Sequence, residues 1–301
     1  MSAPTTSTAS LMLHSLFGVK GKRILVTGGG SGLGSYMALG FAINGAKVYI
    51  VGRREEKLRQ VVNDFDQRKK EAGSDGSISY IAGDLSSKEG IKKIVEAYEA
   101  KEPYLDVLVS NAGILRDGPH KDVDKNDKDN IQKALWDDEW DSWSDTLNVN
   151  TTSVFFTSVA FTPALSRASP QTMREAGPCI IVTTSIAAWS KSRDLPASHS
   201  YGVSKLGAEK VANVLNARLM PFKIRVNTLA PGLFPSEMTA ATPEAMAEKL
   251  GDGMKRIPME RPGSCEDIAG AALFLASRAG AYLSGATLTI DGGRLQIMSA
   301  A

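Results

Sequence analysis

The sequence predicts one α/β domain built on a doubly wound parallel sheet with helices on both faces. Seven short apolar runs alternate with longer segments of helical pattern along almost the whole chain. The runs are apolar throughout rather than at every second position, which indicates strands covered on both sides of the sheet. At 301 residues and 43% hydrophobic content, one large domain or two small ones are both open,. The unbroken alternation, with no linker rich in Pro, Gly or Ser, favours a single domain.

The elements follow in a regular order along the chain. The predicted strands are RILVTG (23–28), KVYIVG (47–52), ISYIAGDL (78–85), LDVLVSNAG (105–113), CIIVTTS (179–185), KIRVNTLAPG (223–232) and ATLTIDGG (286–293). Helical patterns follow the first three strands at 34–46, 54–73 and 87–102,. This alternation of strand and helix is what the crossover connections of a parallel sheet require.

Three segments depart from that rhythm, and the domain proper is predicted to span 21–301. Residues 1–20 lack the basic region of a signal peptide and are predicted to be a short disordered leader,. Residues 116–130 form a polar insertion after the fourth strand, which predicts a solvated loop,. Residues 235–258 predict a helical excursion after the sixth strand. That position overhangs the carboxyl ends of the strands, where ligands bind, so the segment is a candidate substrate lid.

Composition excludes several classes of function. The formal net charge is +2, from 35 basic and 33 acidic residues that are interspersed along the chain. Nucleic acid and an anionic membrane surface are therefore not the expected partners. The two cysteines and three histidines show no metal-ligand spacing, so neither a metal site nor a disulfide framework is predicted, and the expected location is cytoplasmic,. The sequence contains no run of about 18 apolar residues, so no membrane span is predicted,.

A glycine-rich turn directly follows the first predicted strand. It reads TGGGSGLG, and its glycines have the spacing G-x-x-x-G-x-G on Gly28, Gly32 and Gly34. Residues without a Cβ let the backbone approach a pyrophosphate, and the helix amino end beyond them supplies N–H donors. We therefore predict a dinucleotide pyrophosphate site here that also includes Ser31 and Leu33, although tight strand-to-helix turns use glycine for structural reasons as well.

The end of the second predicted strand indicates which dinucleotide is bound. An acidic residue at this point would accept hydrogen bonds from the ribose of NAD, but the chain reads Gly52-Arg53-Arg54,. A guanidinium pairs with a 2′-phosphate instead. The sequence thus favours NADPH or NADP⁺, with Arg53 as the first candidate and Arg54 as the second.

The segment SHSYGVSKLGAEK places Tyr201 and Lys205 four residues apart in a helical pattern. Residues i and i+4 face the same way on a helix. A phenol has a pKa near 10, and a nearby ammonium lowers it, so the pair could provide acid–base catalysis. The same spacing also arises in many helices as an exposed pair without function.

The combination of motifs resembles the classical short-chain dehydrogenases and reductases. The motifs are TGGGSGLG, the triplet Asn111-Ala112-Gly113, a serine ending the fifth strand, YGVSK opening the next helix, and APG ending the sixth strand. The resemblance extends from Lys22 to Gly293 in the order of the family. It implies a Rossmann sheet of seven strands, usually assembled into homotetramers or homodimers through long helices.

The resemblance also implies roles for individual residues. Tyr201 resembles the proton donor, Lys205 the residue that lowers its pKa and binds the nicotinamide ribose, and Ser185 the serine that orients the substrate carbonyl. Asn150 resembles the asparagine whose main chain holds a water in a proton relay, with Asn148 as the weaker candidate. The expected cofactor contacts beyond the glycine turn and the arginines are Asp84, Leu85, Asn111, Ala112, Gly113, Pro231, Gly232, Leu233 and Ser236, together with Tyr201 and Lys205.

The interval before Tyr201 is longer than is usual in the family, so the loop there is expected to bulge. Trp189 and Leu195 could line the substrate pocket or pack locally. His199 has no evident carboxylate partner in the sequence and is expected to be a pocket or surface residue.

The sequence therefore predicts an NADPH-dependent reductase that transfers a hydride to a ketone of a small organic substrate. The C-terminal third is similar to that of 3-ketoacyl reductases and fungal-type ketoreductases of secondary metabolism. Oxidation of a secondary alcohol or polyol by the same residues is the main alternative. A dinucleotide-binding regulator without turnover is a further alternative, because fold alone does not establish catalysis.

Overall fold

The seven predicted strands form one parallel sheet in the order β3-β2-β1-β4-β5-β6-β7. A computed structural model describes residues 7–116, 127–190, 199–239 and 242–297. The strands are β1 Arg23–Thr27, β2 Lys47–Gly52, β3 Ser77–Ala82, β4 Val107–Ser110, β5 Cys179–Thr183, β6 Arg225–Pro231 and β7 Thr287–Ile290. The predicted doubly wound sheet in a single domain is confirmed.

Helices cover both faces of the sheet. They are α1 Leu13–Leu16, α2 Gly32–Ile43, α3 Glu55–Ala72, α4 Lys88–Glu99, α5 Lys128–Trp136, α6 Trp140–Leu147, α7 Ser153–Ser166, α8 Pro170–Glu175, α9 His199–Leu219, α10 Pro243–Leu250, α11 Cys265–Ala276 and α12 Arg294–Ile297. Short 3₁₀ helices span Thr8–Leu11, Ile186–Ala188, Met220–Phe222, Gly251–Arg256 and Arg278–Gly280, and one π-helical turn spans Asn148–Thr152.

The core consists of two apolar layers, one on each face of the sheet. On β1, Ile24 and Val26 pack into the layer made by α2, α3 and α11. Leu25, between them, packs into the opposite layer with side chains of α4, α7 and α9. Because successive side chains of a strand point to opposite faces, both faces of β1 must be apolar. This packing explains why the strand sequences do not alternate between apolar and polar residues.

The order of the strands creates a cleft at the carboxyl ends of β1 and β4. β3 ends on one side of β1, and the chain then crosses to β4 on the other side. The connections on the two sides of this point run in opposite directions, which leaves a crevice between them. The glycine turn, the arginines after β2 and the end of β5 all open toward this crevice.

The boundaries of α3 follow from the sequence and set the position of the arginines. Arg54 precedes the first turn, which contains Glu55, and the last turn contains Lys69. Those charges complement the helix dipole. Gly73 then ends the helix in the left-handed conformation, with φ of 60°,. The guanidinium of Arg54 is thereby held at the amino end of α3, beside the cleft.

Within the predicted disordered leader 1–20, the described residues 7–20 include two short helical elements. The ring centroids of Phe17 and Phe274 are 6.4 Å apart, and Val19 is fully buried in the core. Phe17 and Val19 thus pack on the domain through these apolar contacts. Of the predicted insertion 116–130, residues 117–126 lie outside the described part, and α5 begins at Lys128 behind the capping carboxylate of Asp127. Among the described residues, no helix combines the length and hydropathy needed to cross a membrane.

Candidate active site

Most of the predicted site residues line one cleft of about 490 Å³ at the carboxyl ends of the strands. They are Gly28, Ser31, Gly32, Leu33, Arg53, Arg54, Asp84, Leu85, Asn111, Ala112, Gly113, Ser185, Tyr201, Lys205, Pro231, Gly232 and Ser236. Gly34 and Asn150 lie just behind its wall, where they hold the residues that line it. The cleft extends from the arginines after β2 to Tyr201 on α9.

The glycine turn has the geometry that a pyrophosphate site needs. Gly28 has a positive φ of 65°, and a Cβ there would approach the Cα of Ala112 to 2.8 Å. A Cβ on Gly34 would lie 2.2 Å from the carbonyl oxygen of Gly28. Side chains at these positions would collide with the backbone, so only glycine permits the tight turn that brings the backbone up to the cleft. The first turn of α2 then presents amide donors and a positive dipole to the cleft, which fits the phosphates of a dinucleotide.

Asn111 and Ala112 connect β4 to the glycine turn. The backbone amides of both residues donate to Oγ1 of Thr27, at 2.9 and 3.0 Å. The side-chain amide of Asn111 donates to the carbonyl oxygen of Thr27 at 3.0 Å. These bonds hold Asn111 and Ala112 against the end of β1 and so fix the floor of the cleft.

Ser185 and Tyr201 meet at the far end of the cleft. Ser185 follows β5, and its Oγ accepts a hydrogen bond from the amide of Ala187 at 3.1 Å. The Tyr201 hydroxyl forms a side-chain hydrogen bond with Ser185. Thr184 is turned away, since its hydroxyl donates to the carbonyl oxygen of Leu229 on β6 at 3.1 Å. Of the hydroxyls that end β5, the one predicted from the sequence is therefore the one that contacts the tyrosine.

Burial raises the pKa of the Tyr201 phenol above its usual value, and the hydrogen bond with Ser185 opposes that shift only in part. Desolvation disfavours the phenolate, whereas the effect predicted for the Lys205 ammonium acts in the opposite direction and stays a prediction. Tyr201 is consequently a protonated hydrogen-bond donor at neutral pH.

Lys205 lies on the same side of α9 as Tyr201, as the spacing predicted. Its Nζ is 5.7 Å from the centroid of the Tyr201 ring and donates to the carbonyl oxygen of Thr183 at 2.9 Å. Only 4% of the residue is exposed. Burial lowers the pKa of Lys205 to about 8, so the ammonium is still the main form at pH 7. The chain thus places one buried cation next to the phenol.

Asn150 lies in the π-helical turn between α6 and α7 and is fully buried. Its Oδ1 accepts from the amide of Ile114 at 2.7 Å, and its Nδ2 donates to the carbonyl oxygen of Ile114 at 2.9 Å and to Oγ of Ser204 at 3.0 Å. A Cβ on Gly113 would approach both Asn150 and Lys205 within 3.3 Å. Asn148, the weaker candidate, donates instead to the carbonyl oxygen of Ser86 at 3.0 Å.

The other end of the cleft carries a cluster of charged side chains. Arg54 Nη2 lies 2.7 Å from Oε2 of Glu237 and 3.5 Å from Oγ of Ser31, and Lys57 Nζ lies 2.9 Å from Oε1 of Glu237. Within the described part of the chain, Arg53 forms no ion pair. Sequence reasoning did not name Lys57 or Glu237. A signal for Lys57 did exist, since it lies one helical turn beyond Arg53 and Arg54.

The structure also places the remaining residues that were named from the sequence. Leu233 lines a smaller separate cavity, whereas the next residue, Phe234, lines both that cavity and the main cleft. His199 does have a carboxylate neighbour, because its Nδ1 lies 3.9 Å from Oδ2 of Asp138, which also accepts from Trp143 Nε1 at 2.9 Å. Trp189 follows the 3₁₀ helix after Ser185 and is partly exposed. Leu195 lies outside the described residues.

Comparison with known proteins gives a consistent result. A family model described as enoyl-(acyl carrier protein) reductase matches residues 28–294. The short-chain dehydrogenase/reductase PhomF of Diaporthe leptostromiformis is 36% identical over 96% of this chain and 97% of its own length. The 3-oxoacyl-[acyl-carrier-protein] reductase FabG of Chlamydia pneumoniae is 30% identical over 91% of this chain and 96% of its own.

A solved structure shows the same fold. The RhlG/NADP active-site complex of Pseudomonas aeruginosa superposes with a TM-score of 0.78 at 30% identity and covers 94% of this chain and all of that one. The chain belongs to the short-chain dehydrogenases/reductases, a family of oxidoreductases that act on CH–OH and C=O groups. The family suggested by the sequence motifs is therefore confirmed.

Proposed function

We propose that the protein is an NADPH-dependent reductase that converts a ketone of a small organic substrate to the alcohol. The observation that carries this proposal is the contact of the Tyr201 hydroxyl with Ser185 next to the buried Lys205, in the same cleft as the glycine turn. A binding protein without turnover would not need a phenol, a hydroxyl and a buried ammonium at one end of a dinucleotide cleft.

The proposed mechanism assigns one task to each side chain. NADPH, when bound along the cleft, supplies the hydride for the carbonyl carbon. Ser185 holds the carbonyl oxygen, and the Tyr201 hydroxyl donates its proton to that oxygen. Lys205 stabilises the phenolate that remains, because its buried ammonium acts where solvent does not screen it. Asn150 keeps Ile114 and the first turns of α9 in register with these groups.

The protonated state of Tyr201 at neutral pH is compatible with reduction, and the direction itself is set by the cofactor ratio and the substrate,. Reduction needs the protonated phenol, which burial favours at neutral pH,. Oxidation of a secondary alcohol would need the phenolate as a base. The names of the relatives, which include a 3-oxoacyl reductase, and the NADP complex of RhlG also support a ketone and this cofactor. The same residues could still oxidise an alcohol if the cofactor ratio required it.

The test compares both directions with the purified protein. We expect NADPH consumption with at least one member of a ketone panel that includes a 3-oxoacyl thioester, and slower NADP⁺ reduction with the corresponding alcohol at pH 7. NADPH binding without turnover on any ketone or alcohol would favour the non-catalytic alternative. Faster oxidation than reduction at equal cofactor concentration would favour the dehydrogenase.

We also propose that the cytoplasmic protein forms a homo-oligomer through α7 and α9. Both helices expose apolar side chains, with Val159 at 44%, Val203 at 48% and Leu206 at 48% relative exposure. Exposed apolar patches of this kind are typical of interfaces. Light scattering should give a mass of two or four chains, and Leu206→Glu should shift it toward one.

A further inference from the structure

The chain that follows β6 lies across the cleft where the phosphates of a dinucleotide would bind. The Tyr36 hydroxyl on α2 donates to the carbonyl oxygen of Pro235 at 3.4 Å. A Cβ on Gly32 would approach the Cβ of Ser236 to 3.0 Å. The beginning of segment 235–258 therefore rests on the first turns of α2, next to the glycine turn.

Glu237 extends from this segment to the cations on the opposite side of the cleft. Each of its carboxylate oxygens pairs with one cation: Oε2 with Arg54 at 2.7 Å and Oε1 with Lys57 at 2.9 Å. We call this arrangement of Glu237, Arg54 and Lys57 the Glu237 bridge. The hydrogen bonds from Lys57 and Arg54 hold the pKa of Glu237 below its usual value. The carboxylate is thus a full anion at neutral pH.

The two cations of the Glu237 bridge are suited to a phosphate. Arg54 and Lys57 lie one helical turn apart at the start of α3, and both side chains line the cleft,. Their side chains are 54% and 34% exposed, so a ligand can reach them. Arg54 Nη2 also lies 3.5 Å from Oγ of Ser31 in the glycine turn. A guanidinium, an ammonium and a hydroxyl therefore converge on the position that Glu237 now occupies.

We propose that Glu237 is a specificity-determining residue that competes with the 2′-phosphate of NADP(H) for Arg54 and Lys57. This proposal rests on the proposed function, because it takes NADP(H) as the cofactor. Binding exchanges the internal carboxylate for the phosphate and frees Glu237 from α3. NADH carries no 2′-phosphate, so its binding leaves both ion pairs in place.

The exchange lowers the affinity for NADPH selectively. A phosphate monoester carries about −1.5 to −2 charges at pH 7, and two cations cannot neutralise it and a carboxylate together. Breaking two partly exposed ion pairs on binding weakens affinity by about 3- to 30-fold. Glu237 consequently holds NADPH affinity below what the cations alone would give.

The test measures dissociation constants of NADPH, NADH and adenosine 2′,5′-bisphosphate for wild type, Glu237→Gln and Glu244→Gln. Glu244 is exposed at the start of α10 in the same segment, so its variant is a matched control for the loss of one negative charge. We expect Glu237→Gln to bind NADPH and the bisphosphate about 3- to 30-fold more tightly, and NADH within about twofold of wild type. Glu244→Gln should bind all three ligands as wild type does.

The outcomes separate this proposal from the proposed function. Wild type that binds NADPH, with a Glu237→Gln variant that binds it no more tightly, would overturn the role of Glu237 alone. Equal tightening for NADPH and NADH would overturn it as well, because the effect would not involve the 2′-phosphate. Wild type that binds neither NADPH nor the bisphosphate would refute the cofactor assignment and the Glu237 bridge together.

Discussion

Replacing Lys205 with methionine should make the protein more stable while it abolishes catalysis. Lys205 is 4% exposed, and burial lowers its pKa from 10.5 to about 8. A shift of this size corresponds to about 3 kcal/mol of unfavourable free energy for the charged form in the folded state at pH 7. Methionine is apolar and of similar length, so it removes that unfavourable contribution without leaving a large cavity.

The hydrogen bond from Nζ to the carbonyl oxygen of Thr183 is lost in the same variant. A bond of this kind contributes about 1 to 2 kcal/mol. The expected net gain for Lys205→Met is therefore about 1 to 2 kcal/mol in the free energy of unfolding at pH 7. Urea denaturation measures this difference directly. Lys210→Met, at an exposed position of the same helix, is the matched control and should change stability by less than about 0.5 kcal/mol,.

The lowered pKa of Lys205 also predicts how the stability difference between wild type and Lys205→Met changes with pH. Because the folded pKa of Lys205 lies below the unfolded value, the unfolded chain binds more protons between about pH 8 and pH 10.5,. The stability contributed by this group to wild type therefore rises with pH in that window, and the advantage of Lys205→Met should shrink from pH 7 to pH 10. A variant less stable than wild type at pH 7, or a difference that is constant from pH 7 to pH 10, would refute the argument.

Three further predictions concern the candidate cofactor cleft and the proposed role of Lys205. Arg54→Ala should weaken NADPH binding about tenfold or more and NADH binding much less, because it removes a cation from the 2′-phosphate position; equal losses by titration would contradict that role. Gly34→Ala should destabilise the protein by about 2 kcal/mol or more, because its Cβ would lie 2.2 Å from a backbone oxygen,. Gly270→Ala in α11 has open space around it and should stabilise the protein by about 0.5 to 1 kcal/mol,. If urea denaturation gives a change of the same sign in the free energy of unfolding for both variants, this explanation is wrong. The rate of ketone reduction should be level below about pH 8 and fall above it as Lys205 loses its proton; a profile that stays level to pH 10 would show that the ammonium is not needed.

The sequence was sufficient to predict those parts of the site that depend on local spacing and strand order. The seven apolar runs predicted the strands of the sheet, because a parallel strand that is covered on both sides must be apolar on both faces. Tyr201 and Lys205 share one side of α9 because of the four-residue spacing, and Ser185 faces them because parallel strands end at the same edge of the sheet.

The sequence was not sufficient where long-range packing decides the outcome. Glu237 meets Arg54 across 183 positions of the chain, and no local pattern relates the two. The contact between His199 and Asp138 depends in the same way on how α6 packs against α9. The direction of the Tyr201 pKa shift depends on burial, which the four-residue spacing does not specify,.

The most direct test of the central claim is the turnover of Tyr201→Phe. The substitution removes only the hydroxyl that we propose as the proton donor, and Tyr282→Phe, at a fully exposed position, is the control. With NADPH and a ketone that wild type reduces, we expect kcat to fall by about 10²- to 10⁴-fold in Tyr201→Phe, with a much smaller change in NADPH affinity and no change in the control variant. A Tyr201→Phe variant that retains a rate comparable to wild type would contradict the assignment of Tyr201 as the general acid.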